Sequence, residues 1–138
     1  MPGLSRVRVL VADDSPLLRR LLRDAIEEID RVEVVAEVGD GAAAVDGVRA
    51  HRPDVVVLDL QMPVLGGMAA LQRLRADGHT LRVIVLTNHS ESPYRDACLR
   101  AGADHFFDKS AGIDRVLDVV RGLAADPEVS AFPPSPVS

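Results

Sequence analysis

Val55-Val56-Val57-Leu58-Asp59 is the stretch on which the fold turns. It is apolar on consecutive residues and then stops at an acid. A strand with one wet face alternates apolar and polar side chains, so an unbroken run reads as a strand covered on both faces. Val83-Ile84-Val85-Leu86-Thr87 repeats the apolar run downstream, and Val7–Ala12, interrupted at Arg8, is similar upstream. His105–Asp108 is a shorter and less apolar version. Val32–Val38 differs, because Glu33 and Glu37 fall on one parity, as suits a more exposed edge strand.

Between these runs the period changes to that of a helix. Leu17, Leu18, Leu21, Leu22, Ala25, Ile26 and Ile29 form one broad apolar stripe, with Arg19, Arg20, Arg23 and Asp24 opposite. That basic turn reads as a solvated helix face, or as one turned toward a protein partner. Ser15-Pro16 and Ser92-Pro93 each read as an N-cap followed by proline at the first helical position. Further helices are predicted over Gly41–Ala50, Gly67–Ala76, Pro93–Ala101 and Ile113–Ala124. Strand-then-helix units in succession imply an α/β, doubly wound architecture, a parallel sheet with helices on both faces.

Composition bounds the same answer. The chain has 138 residues, 47% hydrophobic and 27% charged, which are values of one globular domain, assigned to residues 5–125. Four prolines fall within 126–138, which carries little apolar periodicity and is expected to be a disordered tail. Sixteen Lys and Arg against twenty-one Asp and Glu leave a net charge of −5, the wrong sign for direct nucleic-acid binding. No apolar run approaches the roughly 18 residues that span a membrane, and no signal-peptide pattern opens the chain, so a cytoplasmic location is the default expectation. Cys98 is the single cysteine, which excludes an internal disulfide, and it reads as a small core residue.

In a doubly wound sheet, chemistry collects beyond the carboxyl ends of the strands. Here the runs end in Asp13-Asp14, Asp59, Thr87-Asn88 and Asp108-Lys109. Singly, each has an ordinary explanation: Asp14 as a cap before Ser15-Pro16, Thr87 as a strand residue, Lys109 as a surface charge beside Asp108. Jointly they would bring three carboxylates, a hydroxyl and an ammonium to one edge. Clustered carboxylates favour a hard divalent cation such as Mg²⁺, which keeps waters and completes its shell with phosphate oxygens. A carboxylate beside such a cation is a nucleophile toward phosphorus, while Lys109 and Thr87 would neutralise and orient phosphoryl oxygens. The layout is that of an aspartyl-phosphate site.

Motifs in order and spacing sharpen this: Val11-Ala12-Asp13-Asp14, Leu58-Asp59-Leu60-Gln61-Met62-Pro63 with Gly67, Leu86-Thr87, Ala101-Gly102-Ala103-Asp104, and Asp108-Lys109. Over roughly Val7 to Leu123 the chain resembles the receiver domains of two-component response regulators. The resemblance implies a flavodoxin-like (βα)5 three-layer sandwich whose five-stranded parallel sheet has the order 2-1-3-4-5. It implies that Asp59 is the phosphoacceptor for a histidine kinase or a histidine phosphotransfer protein. Asp13, Asp14, Asp59 and the backbone carbonyl of Gln61 would hold Mg²⁺. Lys109, Thr87 and the Asn88 backbone N–H would contact the phosphoryl group. Phe106 would be the switch aromatic, turning inward as the threonine moves. The change would reach a downstream protein partner at the surface of the fourth helix, fifth strand and fifth helix, with phosphorylation-dependent homodimerisation left open.

The chain departs from the family pattern at several places. Ser110 replaces the usual proline after the lysine, so a trans Lys109–Ser110 bond or a strained loop is expected. Gly66 stands where a capping side chain is common. Asn88, Gln61 and His89 occupy positions that tune phosphoryl lifetime in the family, so an altered lifetime is expected. A stand-alone switch that is not an enzyme toward external substrates is the leading expectation. The receiver half of a longer DNA-binding transcription regulator is the alternative. An Asp-nucleophile phosphatase is less favoured, because the second acid such enzymes need two residues on is Gln61 here.

Overall fold

The computed structural model describes residues 6–89 and 91–125. The segment 126–138, read above as a tail, lies outside the described residues, as does residue 5. Strands β1 (Val7–Ala12), β2 (Val32–Val38), β3 (Val55–Leu58), β4 (Arg82–Thr87) and β5 (His105–Asp108) alternate with helices α1 (Pro16–Glu27), α2 (Gly41–His51), α3 (Gly67–Ala76), α4 (Ser92–Arg100) and α5 (Lys109–Ala125). The sheet has the order β2-β1-β3-β4-β5 and its four pairings are all parallel. This is the expected doubly wound, flavodoxin-like sandwich.

Alternate residues of each buried strand feed the two faces, which is why the centres of β1, β3 and β4 are apolar on consecutive residues. Leu10, Val56, Leu58, Val83, Val85 and Phe106 pack against α2, α3 and Cys98 of α4. Val9, Val11, Val55, Val57, Ile84 and Leu86 pack against Leu22 and Ile26 of α1 and Val116 and Val120 of α5. β2 lies at one edge, as its glutamates predict, and Val35 is bulged out of its register with β1. Among the described residues no helix is long and apolar enough to cross a membrane.

Three local readings need correction. α5 begins at Lys109, four residues before the expected Ile113. The Asp108 carboxylate accepts from the Ser110 N–H at 2.7 Å, capping a first turn that has no apolar stripe to announce it. A proline at position 110 has no N–H to be capped; Ser110 does. Lys109–Ser110 is trans, as are the other described peptide bonds, and it starts a helix instead of a strained loop. At α4 the cap is Glu91, not Ser92, because the Glu91 carbonyl accepts from both Tyr94 and Arg95. At α1 the cap is as predicted, with Ser15 Oγ accepting from Leu18. Its apolar stripe, however, is too broad for the face it covers. Leu22 and Ile26 are buried, whereas Leu17 is 70% and Leu21 52% exposed.

The loop that follows β3 carries a strained turn. The Leu65 N–H donates to the Pro63 carbonyl at 2.7 Å, and Val64 between them has φ +69° and is exposed. A positive-φ γ-turn is costly for a β-branched residue. Val64→Gly is therefore expected to stabilise the protein by about 0.5–1 kcal/mol, the released strain exceeding the added chain entropy. Thermal unfolding checks this, and a lowered melting temperature would show that Val64 is unstrained.

Candidate acidic site at the carboxyl edge of the sheet

Register brings the polar strand ends together. β1 and β3 pair Ala12 with Leu58, so Asp13 and Asp59 emerge side by side. β4 and β5 pair Thr87 with Asp108, so Lys109 emerges one residue beyond the threonine. The backbone of α3 closes tightly over this end. A Cβ on Gly67 would overlap the Asp59 carbonyl, so glycine alone lets the helix start there.

Asp13, Asp59 and Thr87 are the buried polar residues among those described. Lys109 Nζ lies 2.8 Å from Asp13 Oδ2 and 3.1 Å from Asp59 Oδ2, bridging the two carboxylates. The other Asp13 oxygen accepts from the Ser15 N–H at 2.8 Å, and Asp59 Oδ1 accepts from the Gln61 N–H at 3.3 Å. Asp14 is exposed, and one carboxylate oxygen from each of Asp13, Asp14 and Asp59 falls within 4.8 Å of the others. Three hard oxygen donors at that spacing fit Mg²⁺ or a similar cation.

Burial pushes the Asp59 carboxyl up from its usual range; Lys109 pulls it down, Asp13 raises it again, and the net direction is up. Burial draws the Lys109 ammonium down, but its bonds and proximity to Asp13 and Asp59 prevail, and it is held above the ordinary lysine value. Lys109 therefore stays charged and Asp59 is ionised at a cost. A group whose folded pKa is raised contributes stability that is complete below its unfolded pKa and lost as pH rises through the folded value. Asp59→Asn is accordingly expected to raise stability at neutral pH without metal, on the order of 1 kcal/mol, since Lys109 keeps Asp13. The gap to wild type should close as pH falls into the carboxylate range. Melting curves from pH 7 to pH 4 in chelator check this; a less stable Asp59→Asn at pH 7 would contradict it.

Of the residues singled out from sequence, Asp13, Asp14, Asp59 and Lys109 are brought together. Thr87 is fully buried, its Oγ1 accepting from the His89 N–H at 3.1 Å, and the His89 ring meets Tyr94 edge-on at 5.6 Å. Asn88 is exposed. Gln61 meets Asp59 through its N–H. Phe106 is buried in the core beside α4. Arg19 belongs by spacing to a basic turn that is either solvated or turned toward a partner. Instead its guanidinium donates to the Asp13 carbonyl at 2.6 Å, and both Arg19 and Arg23 reach Glu37 on β2. Its spacing, one turn beyond the Ser15 cap, is the only sequence signal for that contact.

The model of the response regulator receiver domain matches residues 9–121. The chain belongs to the response regulator receiver domains. This receiver is 38% identical over 129 residues to the nitrate/nitrite response regulator protein NarP of Escherichia coli, covering 94% of this chain and 60% of that protein. Among solved structures, the receiver domain of the putative response regulator NarL from Mycobacterium tuberculosis superposes with a TM-score of 0.81 at 34% identity, over 88% of this chain and 98% of that one. CheY of Borrelia burgdorferi, solved in a complex with CheX, BeF3 and Mg²⁺, gives a TM-score of 0.76 at 26% identity, over 86% and 87% of the two chains. The receiver thus spans only part of the length of the curated relatives it matches, 60% of NarP and 54% of UvrY.

Proposed function

We propose that this receiver is a phosphorylation-controlled switch in which Asp59 accepts a phosphoryl group from the phosphohistidine of a histidine kinase or phosphotransfer protein. The observation that carries the reading is the buried Asp59 carboxylate, with Lys109 Nζ 3.1 Å away and two further carboxylates within 4.8 Å. An Asp59 oxygen attacks phosphorus, an O–P bond forms, and the P–N bond to the histidine breaks. Asp13, Asp14, Asp59 and the Gln61 carbonyl would hold Mg²⁺, which when bound neutralises phosphoryl oxygens and the charge of the acidic residues. Lys109 supplies a fixed cation beside the same carboxylate, in contact with its Oδ2. The Thr87 hydroxyl accepts from His89 and keeps its own proton to donate to a phosphoryl oxygen, as does the Asn88 N–H. Movement of Thr87 toward that oxygen, with Phe106 following, carries the change to the α4-β5-α5 surface and a protein partner there.

The receiver unit is assigned to residues 5–125. The greater length of the curated relatives favours a second reading, in which the same switch regulates an attached output domain. Family membership leaves the phosphatase alternative without support. Trapping the acyl phosphate with borohydride after incubation with acetyl phosphate and Mg²⁺, then mapping peptides, tests the assignment. Label on Asp59 supports it; label on any other carboxylate or on histidine overturns it.

A further inference from the structure

We propose that Arg19 is a positioning residue for the acidic site, acting on the Asp13–Asp14 peptide. This rests on reading Asp13, Asp14 and Asp59 as the cation site.

The three carboxylates are not held equally. Asp13 is fastened by Lys109 and the Ser15 N–H, and Asp59 by Lys109 and the Gln61 N–H. Among the described residues, no hydrogen bond or ion pair fastens the exposed Asp14 carboxylate. Its place is set by its backbone alone. Arg19 Nη1 donates to the carbonyl oxygen of Asp13 at 2.6 Å, which is the oxygen of the peptide that joins Asp13 to Asp14. Fixing that oxygen fixes the plane of the peptide, and with it the direction in which Asp14 leaves the chain.

The guanidinium is itself guided. Its Nε lies 4.0 Å from Glu37, which Arg23 also holds at 3.0 Å, and it passes beside Gly39, where a Cβ would stand 3.1 Å from Nη1. Arg19 thus reaches from α1 between two loops at the carboxyl edge of the sheet. Among the described residues its contact with the acidic site is with the Asp13 carbonyl, so the contribution proposed for it is geometric. Groups that orient ligands from outside the coordination shell matter for metal affinity by factors of ten or more.

Charge and geometry predict opposite signs here. Removing a cation near the acidic cluster would tighten Mg²⁺ binding by Coulomb attraction alone. Loss of the peptide's anchor would weaken it. Calorimetric titration of the full chain with Mg²⁺ separates the two, using wild type, Arg19→Gln, Arg19→Lys, Arg23→Gln and Gly39→Ala. Arg23→Gln removes a charge from the same helix and the same Glu37 pair without touching Asp13. Gly39→Ala keeps every charge and crowds the guanidinium, and it serves if Arg19→Gln folds poorly. The expected result is an affinity weakened about ten-fold in Arg19→Gln, weakened less in Gly39→Ala, unchanged in Arg23→Gln, and largely restored by Arg19→Lys, which keeps a donor. Unchanged or tighter binding in Arg19→Gln, or equal weakening in Arg23→Gln, would overturn the positioning role while leaving the cation site intact. Absence of Mg²⁺ binding by wild type would overturn the cation site and the inference with it.

Discussion

Lys109→Met is expected to slow phosphorylation of Asp59 by acetyl phosphate about a hundred-fold, while leaving the reaction dependent on Mg²⁺. Among the described residues the lysine is the one cation in contact with both buried carboxylates, 2.8 Å from Asp13 and 3.1 Å from Asp59. Charge developing on the phosphoryl oxygens meets a partner that is already in place and already desolvated, and removing one such donor costs on the order of 10²–10³ in rate. Methionine keeps the length of the stem and removes the charge. Burial already pushes the Asp59 carboxyl up, so the loss of Lys109 also leaves less carboxylate to attack. Time courses of acyl-phosphate formation check this. A rate within about three-fold of wild type would remove Lys109 from the chemistry.

Arg75→Ala carries the largest expected loss of stability, about 2–4 kcal/mol. Its guanidinium donates to the carbonyls of His79 and Leu81, each at 2.8 Å, to the Gly102 carbonyl at 2.8 and 3.2 Å, and to Asp104 at 3.2 Å. One side chain on α3 therefore ties down the turn into β4 and the turn into β5. Gly102 sits at φ +111°, and a Cβ there would press on the Arg75 side chain at 3.0 Å, so the turn and the arginine fit each other. Hydrogen bonds to a charged group contribute about 1.5–3 kcal/mol when buried. The side chain is 23% exposed, so the sum is discounted. Lysine offers a point charge in place of a planar fork and should recover less than half of the loss. Urea unfolding of the two variants reads this directly; a loss below about 1 kcal/mol for alanine would show the carbonyls rehydrating without cost.

These two arginine and lysine sites differ in how visible they are from sequence. Lys109 follows a short apolar run at a strand end, and strand ends of a doubly wound sheet converge, so its place at the acidic edge is readable from order alone. The same holds for Asp13, Asp14, Asp59 and Thr87. Arg75 lies in the last turn of a helix beside Arg73, and nothing in the sequence separates the two. Its partner at Gly102 is 27 residues away, a contact made by tertiary packing and not by periodicity. Arg19 is similar, since helical spacing assigns it to the outer face while a long flexible stem lets it fold back on the Asp13 carbonyl.

Element boundaries failed where side chains outrank periodicity. The first turn of α5 has no apolar stripe to mark it, and its start depends on one carboxylate, Asp108, finding one N–H, Ser110. Leu17 and Leu21 continue the apolar stripe of α1 on paper, but the sheet covers only the arc that holds Leu22 and Ile26. Their exposure is a property of width, which a pattern of types does not record. The strain at Val64 is likewise invisible, because Met62-Pro63-Val64-Leu65 reads as an ordinary turn.

Intact mass of wild type and Asp59→Asn, each incubated with acetyl phosphate in Mg²⁺ or in chelator, tests the central claim most directly. The account predicts a gain of one phosphoryl group by wild type in Mg²⁺ and no gain in the other three samples. A gain that persists in Asp59→Asn, or that proceeds in chelator, would contradict it.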